Sequence, residues 1–137
     1  MTKSLALHLI SPGVHSIAGS WLQVELIKNS GAAFSLGGSM GVIFALVSLS
    51  AIAGVLYLAR SLTSERWATA LGILLGGVMG NLSDRCFRAP YWFQGSVIDW
   101  IKIPHWPVFN LADTSIVLSA VAIALLILKN VKPRQLN

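Results

Sequence analysis

Residues 40 to 59 read MGVIFALVSLSAIAGVLYLA, 20 residues without a charge, closed by Arg60. At about 1.5 Å of rise per residue, such a run matches a hydrocarbon core roughly 30 Å thick. The segment is therefore expected to be a membrane-spanning helix, and the rest of the chain is read outward from it.

Downstream, Arg60 to Arg66 (RSLTSER) is a short polar turn, and a second uncharged run of 17 residues follows from Trp67 to Ser83. The two runs predict a helical hairpin. A polar, aromatic and proline-bearing stretch from Asp84 to Pro107 leads to a last apolar run that reaches Leu128 and ends in Lys129, Lys132 and Arg134. That run is expected as a third full span. Upstream, the apolar run from Leu5 to Ile10 is cut by Ser11-Pro12-Gly13, too short to cross a bilayer and unlike a removable signal peptide. Between Trp21 and Leu36, WLQVELIKNSGAAFSL alternates loosely around Asn29-Ser30-Gly31. This predicts a strand, a turn and a return in a small extramembrane β element.

Composition points the same way. Of 137 residues, 55% are hydrophobic and 11% charged, against roughly 25% charge in an ordinary soluble domain, so a soluble globule is not expected. No repeat or low-complexity tract divides the chain, and residues 1–137 are expected to form one integral-membrane domain. The 10 basic residues outnumber 5 acids, but they are scattered, with no run to track a phosphate backbone, and no nucleic-acid partner is expected. Their distribution places the turn at Arg60 to Arg66 and the basic tail on the cytoplasmic side, although Lys28, Arg85, Arg88 and Lys102 lie opposite. Trp21, Trp67, Trp92, Trp100 and Trp106 are expected as interfacial belt residues. Cys86 is the one cysteine, and His8, His15 and His105 have no metal-ligand spacing, so no metal is expected.

The acids carry the functional signal. All three aspartates fall at the outward-facing side: Asp84 ends one run, Asp99 sits in Val97-Ile98-Asp99-Trp100-Ile101, and Asp113 opens the last span. An ionisable group at membrane depth costs a few kcal/mol, and a chain so sparing of charge keeps one there for a task. Two carboxyls brought together share one proton, giving a base beside an acid able to activate water against a peptide bond. Local roles compete with this one. Asn110 and Asp113 have the spacing of a helix capping box, and Asp84 and Arg88 that of an i,i+4 ion pair. Asn81, three residues before Asp84, serves equally as a ligand group or a cap. Gly72, Gly76 and Gly80, with Gly77, form a small-residue ladder expected to admit a neighbouring helix closely.

Read in order, four motifs stand out: Asn29-Ser30-Gly31-Ala32-Ala33-Phe34-Ser35, Gly76-Gly77-Val78-Met79-Gly80-Asn81-Leu82-Ser83-Asp84-Arg85, Gly95-Ser96-Val97-Ile98-Asp99 and Phe109-Asn110-Leu111-Ala112-Asp113. Together, over about residues 2 to 128, they closely resemble the bacterial lipoprotein signal peptidases, or signal peptidase II. The resemblance implies an all-α membrane protein, a four-transmembrane-helix bundle carrying the small β element. It further implies an inner-membrane aspartyl endopeptidase, its active site toward the outer face, that cleaves prolipoproteins before a diacylglyceryl-modified cysteine with no metal or organic cofactor. By matching position, Asp99 and Asp113 are the catalytic pair. Asn29, Asn81, Arg85 and Asn110 bind substrate or shape the site, and Asp84 supports its geometry. Residues from Trp21 to Phe34 match an extramembrane cradle and those from Gly95 to Trp106 an interfacial lid. The implied partners are diacylglyceryl-modified prolipoproteins and membrane lipid, with the protein a monomer.

The chain departs from the family at its start, where an Asp-x-x-Thr-Lys motif lies inside a full first helix and only Thr2-Lys3 stand here behind Met1. The first span is accordingly expected to be truncated, or the start to lie upstream. The alternative is a catalytically impaired relative that binds lipidated signal peptides without cutting them. A small channel subunit is disfavoured, because the spans carry only serines and no polar stripe.

Overall fold

The computed structural model describes residues 2–31, 40–90 and 92–134. In chain order the elements are α1 (Thr2–Leu9), β1 (Val14–Ala18), β2 (Leu22–Asn29), α2 (Met40–Ala59), α3 (Glu65–Phe87), β3 (Val97–Lys102) and α4 (Leu111–Leu128).

α2 has the bounds expected from its uncharged run. Among the described residues, α2 and α4 are the two helices long and apolar enough to cross a membrane. They are not core helices of a soluble protein: only 11% and 6% of their apolar windows are buried, and Leu46, Val47, Tyr57, Val117 and Leu118 stand more than half exposed. Apolar surface on that scale needs lipid beside it. They account for two of the four spans expected. α3 has 23 residues, but Glu65, Arg66, Asp84 and Arg85 lie within it, and α1 has eight.

α3 is the middle helix, packed against α2 and α4. At one end Val55, Trp67 and Leu71 form a buried cluster, covered by Leu62, Leu74, Leu75, Ile123, Leu126 and Val131. Trp67 is thus a core residue, not the belt residue expected, whereas Trp21, Trp92 and Trp106 are exposed. The close approach of α3 and α4 falls at Gly77, where a Cβ would lie 2.7 Å from the Ala112 carbonyl oxygen, and at Gly80, 3.3 Å from the Ala112 Cβ. The expected ladder is corrected here, because Gly72 and Gly76 face open space.

The β element is a three-stranded antiparallel sheet in the order β1-β2-β3. Its hairpin turn lies at Gly19 to Trp21, with Gly19 at φ 59° and the Trp21 N–H donating to the Ala18 carbonyl. Asn29-Ser30-Gly31 is also a turn, closed by the Gly31 N–H on Asn29 Oδ1 at 2.9 Å, with Gly31 at φ 83°. The return expected over 32–36 lies outside the described residues. The partners of β2 are β1 before it and β3 far downstream, in a register that sets Ile27 opposite Asp99 and Asn29 opposite Val97. The stretch expected as a lid therefore contributes β3, a strand of this sheet.

Candidate active site

β3 is fixed at both ends. Before it, Gly95 caps α3, its N–H donating to the Arg85 carbonyl at 3.0 Å; a Cβ there would overlap the carbonyl oxygens of Asp84 and Arg88. Within it, the Ile98 N–H donates to Asp84 Oδ2 at 3.0 Å. After it, the chain doubles back, and Phe109 bridges Ile101 through N–H···O bonds of 2.8 and 2.9 Å. That bridge delivers Asn110 to the start of α4, one strand position from the Asp99 backbone.

Asn110 is fully buried and joins both candidate carboxyls. Its Oδ1 accepts from the N–H groups of Ala112 at 2.7 Å and Asp113 at 3.3 Å, which caps α4. With Oδ1 so engaged, Nδ2 faces the other way and donates to Asp99 Oδ1 at 2.6 Å. The Asn110 backbone N–H donates to Asp113 Oδ2 at 3.0 Å. Asp113 completes the capping box with this oxygen, while its Oδ1 accepts from Asn81 Nδ2 at 2.7 Å. Asp113 thus makes the expected capping box with one oxygen, and its other oxygen is held by Asn81.

The second Asp99 oxygen accepts from Asn29 Nδ2 at 2.9 Å, across the β2–β3 pair. Asn29 has no freedom to turn its amide, because its Oδ1 closes the turn on Gly31. Asn81 is likewise fixed, its Oδ1 accepting from Lys3 Nζ at 2.7 Å and Asn110 Nδ2 at 3.4 Å. One hydrogen-bonded chain therefore runs Asn29, Asp99, Asn110, Asn81 and Asp113. Asp99 is 2% exposed. Burial, with the Asp113 charge adding to it, raises its carboxyl above the ordinary value, while the two amide donors and the Lys3 charge offset part of that effect. Asn29, Asn81, Arg85 and Asp113 line a cavity of about 450 Å³ that continues along apolar side chains of α2 and α3.

Asp84 belongs to an adjacent cluster. Its carboxylate pairs with Lys3 Nζ at 2.9 Å and with Arg88 Nε, the ion pair expected from spacing, and it receives the Ile98 N–H. Arg85 stands apart from these bonds, its guanidinium 5.0 Å from the centroid of the Phe44 ring and its Nη1 buried without a hydrogen-bond partner among the described residues.

Sequence reasoning did not single out Lys3 as a site residue. It is buried and also donates to the Gly80 carbonyl at 3.3 Å, so one ammonium ties α1 to the end of α3. The available signal was a lone cation in an apolar first helix facing a lone anion at the end of α3. Among the described residues, no three of histidine, cysteine, aspartate or glutamate converge as metal ligands do.

The chain is similar to known proteins. Residues 1–129 match the family model described as signal peptidase (SPase) II. The chain is 46% identical over 117 residues to the lipoprotein signal peptidase of Streptomyces coelicolor and 47% identical over 117 residues to that of Streptomyces griseus. Each alignment covers 85% of this chain, which spans 57% and 60% of those relatives' lengths. A bacterial membrane enzyme solved at 2.3 Å resolution shares the fold, with a TM-score of 0.79 at 21% identity, covering 99% of this chain and 85% of its own. With the family model matched over nearly the whole length, the chain belongs to the signal peptidase II family.

Proposed function

We propose that this chain is a membrane aspartyl endopeptidase that removes signal peptides from prolipoproteins, cutting before the diacylglyceryl-modified cysteine. A water between Asp99 and Asp113 attacks the scissile carbonyl carbon. Asp113 takes its proton, and Asp99, protonated, polarises the carbonyl oxygen. As the C–N bond breaks, the leaving amine takes a proton from the pair. Asn29, Asn81 and Asn110 hold the two carboxyls, Asp84 holds β3, and Arg85 offers its Nη1 to a substrate backbone carbonyl. No metal or organic cofactor enters the reaction.

The observation that carries this reading is the position of Asn110, whose side chain holds Asp99 and whose backbone N–H holds Asp113. The burial that raises Asp99 supports its role as the protonated partner. The intact polar network, with Lys3 in place, gives no support to the alternative of a binding relative that does not cut.

In this reading α2, α3 and α4 span the cytoplasmic membrane of a bacterium, and the site faces outward at the lipid boundary. The acyl chains of the substrate then stay in bilayer, where removing each CH₂ costs about 0.8 kcal/mol. The protein acts as a monomer.

The test is cleavage of a diacylglyceryl precursor in membranes by Asp99→Asn and Asp113→Asn. Both variants are expected to insert and fold yet to lose processing. Retained cleavage by either one would refute the assignment.

A further inference from the structure

At the end of the bundle away from the carboxyl network, the chain gathers cations. α2 ends at Ala59 and α4 at Leu128, and the next residues are Arg60 and Lys129; Arg66 lies in the first turn of α3. The segment after α4 folds back. The Pro133 carbonyl accepts the N–H groups of Thr63 at 3.1 Å and Ser64 at 3.2 Å, and the Val131 carbonyl accepts Trp67 Nε1 at 2.8 Å. The Val131 side chain packs on the buried cluster of Val55, Trp67 and Leu71.

These contacts set Lys132 and Arg134, the neighbours of Pro133, beside the turn that carries Arg60 and Arg66. All of these cations are exposed, and none enters an ion pair among the described residues. Among the described residues, Glu65 is the one acidic side chain at this end of the bundle. Like charges held this close repel one another and raise the local demand for an anion.

We propose that this basic end binds the phosphate headgroups of anionic glycerophospholipids. Arg60 and Lys129 follow the apolar spans directly, which sets them at headgroup depth. Just above them, Tyr57, Ile127 and Leu128 are exposed apolar side chains. A phosphate tethered to acyl chains meets both features, whereas free phosphate meets only the charge. The folded-back tail is already ordered by its three hydrogen bonds, so binding orders little that is not ordered beforehand.

The experiment is native mass spectrometry of the full chain in neutral detergent, titrated with phosphatidylglycerol, phosphatidylcholine or inorganic phosphate. Phosphatidylglycerol should bind at least tenfold more tightly than phosphatidylcholine, given a gain of roughly fivefold per basic residue near an anionic surface. The double variant Lys132→Gln, Arg134→Gln should lose roughly 25-fold of that affinity on the same basis. Lys28→Gln, at the other end, should lose none. The proposal is overturned if the two lipids bind alike, if inorganic phosphate displaces phosphatidylglycerol at equal concentration, or if the double variant binds it as the unsubstituted chain does.

Discussion

Lys3 Nζ donates to Asn81 Oδ1 at 2.7 Å, and this contact decides which way the Asn81 amide faces. With Oδ1 held by an ammonium, only Nδ2 is left for Asp113. Replacing Lys3 by Met is expected to cost about 1–3 kcal/mol, because Asp84 loses one of its two cations while buried. Thermal unfolding in detergent measures that loss. Cleavage should fall further than the lost folded fraction accounts for, since the Asn81 amide is then free to turn its oxygen toward Asp113.

Asn110 combines capping and positioning, and two substitutions separate them. Ser caps a helix about as well as Asn, so Asn110→Ser should keep most of the stability that Asn110→Ala loses, roughly 1 kcal/mol. Both remove the donor to Asp99 and should lower the cleavage rate by about 100-fold, the scale of a misplaced catalytic group. Full activity in Asn110→Ser would show that the amide bond to Asp99 does not matter.

Gly77→Ala should force α3 and α4 apart, because the added carbon would sit 2.7 Å from the Ala112 oxygen and 2.9 Å from Ile116 Cγ1. A cost of about 1–3 kcal/mol is expected from overpacking. Gly72→Ala and Gly76→Ala meet no atom within 4 Å and should be neutral or stabilising by up to about 1 kcal/mol from helix propensity. Unfolding temperatures of the three variants test the contrast.

Asp99 has a folded value above its ordinary 3.8, so between the two the folded state binds more protons than the unfolded. Its contribution is fully present below 3.8 and is lost as pH rises through the raised value. Unfolding free energy of Asp99→Asn, compared with the unsubstituted chain, should therefore gain relative to it as pH climbs through that window. Cleavage should decline over the same window on the alkaline side, as the proton that polarises the carbonyl is lost. A difference between the two proteins that does not change with pH contradicts the assignment.

The spans were legible because an uncharged run has one reading: Met40–Ala59 is a helix with the bounds the charges give it. The sheet was only half legible. β2 alternates and was recognised, but β3 carries Asp99 among apolar neighbours on both faces, a pattern of burial and not of alternation. Its partner lies 70 residues away for the Asn29–Asp99 bond, a pairing no local signal encodes. The site aspartates and asparagines were visible as motif positions, yet their division of labour was not. Spacing could not tell a cap from a network member at Asp113, since one of its oxygens takes the Asn110 N–H and the other the Asn81 amide. Lys3 was visible only as part of the opening Thr2-Lys3 motif, and its contacts were not, because they lie in Asp84 and Asn81, both on another helix.

The first turn of α4 winds on the same side chain that anchors Asp99. Helix nucleation and assembly of the carboxyl network are for that reason a single event. A nascent polypeptide whose last helix has not yet coiled leaves the Asp99 carboxyl without its Asn110 donor, so on the proposed function it would have no cutting power before its own insertion is finished.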